Sequence, residues 1–242
     1  LAAGAIPAGA TAPTPFRCEP GFYQVSGSNS RFYRYDVTTN TFTGDAGTAG
    51  VGLNGMGYDT ADDFLYAMSG STVYRIDATG AYASLGATTG TSVPSVAAGD
   101  FYGTSLLVGP ASGNGWVSID VTTRAASAFA LTSGAIGTAT SATWGAYDLT
   151  VIGTKAYGLN NTTLYVVDLT TRTVASRTVS GPTSGNYGAA YSDASGNAYF
   201  YNNTDRKVFQ LTAAELAKAT ASASTPAAVL VGGAASSGSP TL

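Results

Sequence analysis

The run Thr72-Val73-Tyr74-Arg75-Ile76-Asp77 alternates in character along its length and ends in aspartate. Counterparts end at Asp36, Asp120 and Asp168, and a degenerate copy, Lys207-Val208-Phe209-Gln210-Leu211-Thr212, ends in threonine. The repeat is about 40–50 residues long, and a period of that length built from strands is the signature of a propeller blade. It runs almost from end to end of a 242-residue chain. The expectation is an all-β fold, a five-bladed β-propeller closed by a terminal strand, occupying residues 21–242.

Turns rich in Gly, Asn, Asp and Thr separate the alternating runs, which are hairpin signals. Blade two is the clearest copy, with strands expected at 55–59, 64–68, 73–77 and 82–85. In blade four the first strand is expected at 143–148. A second landmark is Tyr58, Tyr102, Tyr147 and Tyr191, each expected to end the first strand of its blade in an equivalent position. Small residues precede them, among them Gly57, Gly99, Gly145 and Ala189. Innermost strands converge on the axis, where only small side chains fit. Residues 213–218 are the one helical pattern, with Thr212 and Glu215 at capping-box spacing. Blade one has no innermost strand ahead of Phe22, and an unpaired edge is a liability. Residues 236–242 are in position to supply the missing strand.

Charged residues are 10% of the chain, against about 25% in an ordinary globular protein. Thr, Ser, Gly and 15 tyrosines take their place, which favours strands. The net charge is −3 and the 11 basic residues are scattered, so nucleic acid is not expected as a partner. No apolar run reaches the length of a membrane span. The polar, charge-poor composition and the start Leu1-Ala2-Ala3-Gly4-Ala5 suggest a secreted or cell-surface bacterial protein whose leader has been removed. Residues 1–20 hold four prolines among small residues and read as a separate extended segment. Residues 1–15 are expected to dock on a neighbouring copy by strand addition.

There is no histidine, which removes Ser-His-Asp and Cys-His catalysis and His-ligated zinc or haem. The lone cysteine, Cys18, has no internal partner. It is either a buried inert thiol or one half of a bridge to another chain or to residues past Leu242. Asp59, Asp62 and Asp63 fall within one turn; the spacing is not that of an EF-hand loop and favours simple turn formation, with a calcium ion as the lesser alternative. Asp193 to Asn197 reads as a turn. The Asp closing each third strand is expected to cap the turn after it. Tyr199 to Asn203 offers stacking area and amides that suit a sugar, and equally an ordinary blade strand. Asp100 and Asp148, near inner strands, are the carboxylates to watch for hydrolase or lyase chemistry.

The stretches Gly57 to Asp77 and Gly188 to Asn203, with the approach Pro15-Phe16-Arg17-Cys18, resemble a family of secreted bacterial β-propeller-like domains of unassigned function. The resemblance covers about residues 15–242. It implies the fold and no catalytic residue, cofactor or metal. It also implies a partner for Cys18 just past the closing strand, and this sequence holds no second cysteine. The functional expectation is a non-enzymatic extracellular interaction or structural subunit that binds itself or another protein. The alternative is a monomeric module for a carbohydrate or small molecule.

Overall fold

The computed structural model describes residues 12–17, 21–36, 39, 41–43 and 47–232. Blade one comprises β1 (Phe22–Ser26), β2 (Arg31–Asp36) and β3 (Thr41–Thr43). Blade two comprises β4 (Asn54–Asp59), β5 (Phe64–Ser69), β6 (Thr72–Ile76) and β7 (Tyr82–Ala87), followed by the short β8 (Thr89–Gly90). Blade three is β9 (Ala98–Tyr102), β10 (Ser105–Gly109), β11 (Gly115–Ile119) and β12 (Ala125–Ala130). The segments β13 (Thr132–Ser133) and β14 (Thr140–Ser141) lead into blade four, which is β15 (Thr150–Ile152), β16 (Lys155–Asn160), β17 (Thr163–Asp168) and β18 (Thr173–Thr178). Blade five is β19 (Tyr187–Ser192), β20 (Ala198–Asn202), β21 (Val208–Leu211) and β22 (Val229–Gly232), with helix α1 (Ala213–Ala221) between its last two strands. The main strands within each blade pair antiparallel in chain order.

Five hydrophobic clusters lie between these five sheets, one per interface. Alternation along β5 shows why. Leu65 and Ala67 pack with Phe32 of blade one, while Phe64, Tyr66 and Met68 pack with Leu106 and Val117 of blade three. The last cluster joins Tyr35 of blade one to Tyr191, Tyr201 and Val208 of blade five, which closes the ring. Burying each such side chain contributes roughly 1.5–3 kcal/mol. The molecule is therefore a five-bladed β-propeller.

Crowding at the axis is as expected. A Cβ on Gly57 would meet the Asp100 backbone at 2.9 Å, and one on Gly99 would meet Gly55 at 2.7 Å. The Asp caps also form as expected. Asp120 Oδ1 accepts from the Thr122 and Thr123 amides, and Asp168 Oδ1 from those of Thr170 and Thr171. Thr212 caps α1 by accepting from the Glu215 amide. The Glu215 carboxylate turns to Lys218 and the Ala227 amide instead of completing a capping box.

Two expectations are corrected. The inner strand of blade four is Thr150–Ile152, not 143–148. Residues just before it are held by other bonds: the Trp144 amide donates to Asn114 Oδ1, and Trp144, fully buried, donates its indole N–H to the Ala146 carbonyl. The four tyrosines are not equivalent either. Tyr58 faces blade one, Tyr102 and Tyr191 face the blade that follows their own, and Tyr147 lies outside any strand. A one-residue difference in register moves a side chain to the opposite face.

A connection absent from the sequence reading links successive blades. As the chain leaves blade two, β8 runs parallel to β12 of blade three. Leaving blade three, β13 runs parallel to β18. Leaving blade four, Ser180 bridges Ala227 ahead of β22. A glycine marks each crossing. A Cβ on Gly90, Gly134 or Gly181 would meet Ala126 O, Thr173 Cγ2 or Ala228 O at 2.6, 2.7 and 2.1 Å.

Residues 12–17 fold against their own propeller. The Ala78 amide donates to the Thr14 carbonyl, the Phe16 amide donates to the Asp63 carbonyl, and the Phe16 ring is 5% exposed between blades one and two. Cys18, residues 1–11 and the closing segment 236–242 lie outside the described residues.

Candidate binding site in the central channel

The inner strands line the channel, and those of neighbouring blades belong to separate sheets. Two carboxylates bridge the gaps. Asp100, on β9, accepts the Val151 amide at 2.7 Å through Oδ2, while its Oδ1 accepts the Phe101 amide at 2.8 Å. Asp148, just before β15, accepts the Gly99 amide at 3.3 Å and the Ala190 amide at 3.0 Å. Blade three is thus tied to blade four, and blade four to blade five. Burial raises the Asp100 carboxyl to about 6, and the backbone bonds only partly oppose it. Burial likewise raises Asp148 well above the usual carboxylate range, with the charge of Asp100 adding to the shift.

The channel opens at both ends. The mouth at the C-termini of β4, β9 and β19, where β1 begins, holds a cavity of about 620 Å³ walled by Phe16, Tyr23, Tyr58, Phe101 and Tyr191. Its recessed polar groups are engaged: the Tyr58 hydroxyl donates to Asp63 at 2.5 Å, and Asp100 is bonded as above. The mouth at the N-termini of β4, β9 and β19, where β1 ends, holds about 470 Å³ and is lined by Gln24, Asn54, Tyr147, Asp148 and Asn203. Here two polar atoms have no partner, Gln24 Nε2 and Asn203 Oδ1. The Tyr191 hydroxyl donates to Gln24 Oε1. Burial drives the Tyr191 hydroxyl well above its ordinary value, as does the charge of Asp148.

The other residues singled out in the sequence lie apart. Asp59 accepts the Ala61 amide, Asp62 the Phe64 amide and Tyr66 hydroxyl, and Asp63 the Tyr58 hydroxyl. They point to three sets of partners, and no metal-binding cluster occurs among the described residues. Asp193 closes its own turn by accepting the Ser195 and Asn197 amides. Of Tyr199 to Asn203, Phe200, Tyr201 and Asn202 are buried, and Asn203 alone reaches a mouth. Gln24 escaped the sequence reading because one glutamine in an otherwise ordinary strand carries no local signal.

A family model described as "Repeat of unknown function (DUF6923)" matches residues 22–240. The chain belongs to this family. No curated protein sequence matches this DUF6923 chain. Among solved structures it is similar to a streptogramin B lyase, with 10% identity over 89% of this chain and 65% of that one, at a TM-score of 0.46. It is also similar to the β-propeller domain of Myceliophteria thermophila Cps50 (Swd1), with 12% identity, 78% and 61% coverage and a TM-score of 0.43. A third is Myxococcus xanthus glutaminyl cyclase, with 11% identity, 79% and 97% coverage and a TM-score of 0.49. The DUF6923 chain spans less than two thirds of the first two. Likeness at this level carries nothing about activity.

Proposed function

We propose that this DUF6923 domain is a non-catalytic extracellular recognition module that takes its ligand at a mouth of the central channel. The observation that supports this most is the use of Asp100 and Asp148. Both accept backbone amides from neighbouring blades, and a carboxylate so engaged holds strands together. Turning either carboxylate toward a substrate would break those bonds. What remains is a pair of open cavities within the size range of small-ligand sites. A soluble-metabolite library screened by amide chemical-shift changes tests the reading. Shifts gathered at one mouth support it. A turnover lost in Asp100→Asn while the fold is kept would overturn it.

A second reading, a subunit of an assembly, has one observation in its favour. Val229 and Leu230 on β22 are 57% and 52% exposed, side by side on the last strand of blade five. Light scattering of the full chain reads this directly. A mass above the monomer that falls in Leu230→Lys supports assembly, and a monomer at high concentration rejects it.

A further inference from the structure

Among the described residues, the mouth at the N-termini of β4, β9 and β19 is lined by two side chains that each hold a buried polar atom without a partner. Gln24, on β1 of blade one, is 2% exposed; Tyr191 occupies its Oε1 and nothing bonds its Nε2. On blade five, which adjoins blade one, Asn203 carries an unbonded Oδ1. A buried polar group without a partner costs roughly 1–3 kcal/mol, so two in one cavity wall need an explanation. One is an amide donor and the other an amide acceptor. Both side chains line the cavity, and terminal amide torsions are broad. The glycine that follows Tyr187 leaves the space that Asn203 fills: a Cβ on Gly188 would lie 2.4 Å from Asn203 Nδ2.

The mouth also defines the ligand's charge. Among the described residues no lysine or arginine lines it, and the one carboxylate that does, Asp148, has both oxygens committed to backbone amides. An anion would find no counter-charge and a cation no free carboxylate. The partner is neutral. It must both donate and accept, which a hydroxyl does with a single atom. Tyr147 stands at the rim, 39% exposed, and offers a flat apolar face. Amide side chains for hydroxyls and an aromatic face for C–H groups are the two requirements of a sugar ring.

We propose that the mouth formed by Gln24, Asn203 and Tyr147 is a binding site for a neutral sugar. This rests on the recognition-module reading and names its site and ligand class. The test titrates the full chain with glucose, galactose, mannose, N-acetylglucosamine, cellobiose, lactose and chitobiose, followed by amide chemical shifts. At least one should give saturable shifts at Ser26, Asn54, Tyr147 and Asn203. Gln24→Leu should weaken it about 10-fold, the loss of one hydrogen bond. If Gln24→Leu does not fold, Tyr147→Ala replaces it: the side chain is at the surface, and removal of the stacking face should weaken binding by roughly 5-fold. Arg17→Ala, at the opposite mouth, should change nothing. Absence of saturation by all seven sugars overturns the sugar assignment, as does binding indifferent to both substitutions. Glucuronic acid and a neutral tripeptide serve as a parallel arm. If either shifts this mouth while the sugars do not, the recognition module stands and the ligand class is wrong. If nothing shifts either mouth, both proposals fail.

Discussion

Blades three, four and five are joined to one another by different means from those that join blade five to blade one. In the arc, main-chain and carboxylate bonds cross each boundary: β13 beside β18, Ser180 beside Ala227, Asp100 to Val151, and Asp148 to Ala190. Trp116 and Trp144 meet edge to face at 4.8 Å inside the arc. At the seam, among the described residues, side chains make the contact. Phe22 stacks on Tyr191 at 4.6 Å, and Phe42 meets Tyr201 at 5.4 Å. Main-chain bonds tolerate many sequences, whereas ring stacks depend on each partner. Among the described residues the arc is held by main-chain bonds and the seam by aromatic side chains and the Tyr191–Gln24 hydrogen bond.

The largest effect is expected from breaking the arc's packing. Trp144→Ala should cost about 4 kcal/mol, since a fully buried indole leaves a cavity between blades three and four. Urea denaturation reads this as a lower midpoint with unchanged slope.

The next largest is a pH effect that belongs to the arc. Asp100 is raised in the fold to about 6, and Asp148 is raised as well. A raised carboxyl binds its proton more readily folded than unfolded. Its favourable contribution is therefore complete below the unfolded value and is lost as pH rises through the folded one. Between pH 7.5 and 5 the shift at Asp100 alone should add roughly 1–1.5 kcal/mol, which Asp100→Asn should remove, and Asp148 acts in the same sense. Below about pH 4 the trend should reverse. Asp120 is held low by the Thr123 amide, and at Asp193 the bonds from Asn197, Tyr199 and Ser195 outweigh burial. Protonation of such turn caps removes stability. Thermal melts across pH check both limbs.

At the seam, Phe22→Ala should cost about 2 kcal/mol, less than Trp144→Ala because the ring is only half-buried. Peptides covering 22–36 and 187–202 should then exchange hydrogen faster, with those of blades three and four unchanged. The smallest effect is Tyr191→Phe. It removes the hydroxyl from Gln24 and leaves a buried acceptor unpaired, a loss of about 1 kcal/mol.

The blades were legible because alternation and an Asp cap are local and repeat with the period of the fold. Asp100 and Asp148 were visible as carboxylates near the axis, but their bracing role depends on amides some 40 to 50 residues away. The expected inner strand of blade four falls too early because residues 143–148 imitate strand pattern, while the Trp144 backbone is bonded to Asn114 and Gly113 instead of to a neighbouring strand. The blade-to-blade crossings are two residues long and escape any periodicity; the spacing of Gly90, Gly134 and Gly181 was their one trace. The N-terminal mouth draws Gln24 from blade one, Tyr147 from blade four and Asn203 from blade five, so no window of sequence contains it.

Amide exchange at Val151 and Ala190, followed by NMR, asks directly whether the channel carboxylates brace the arc. In the wild type both amides should be protected. Asp100→Ala should speed exchange at Val151, and Asp148→Ala at Ala190, each at least roughly 10-fold relative to amides inside the same sheets, the equivalent of one lost hydrogen bond. Amides of β1 at the seam should keep their rates. Unchanged exchange at Val151 and Ala190 in folded variants would contradict the bracing role and return Asp100 and Asp148 to candidacy as catalytic groups.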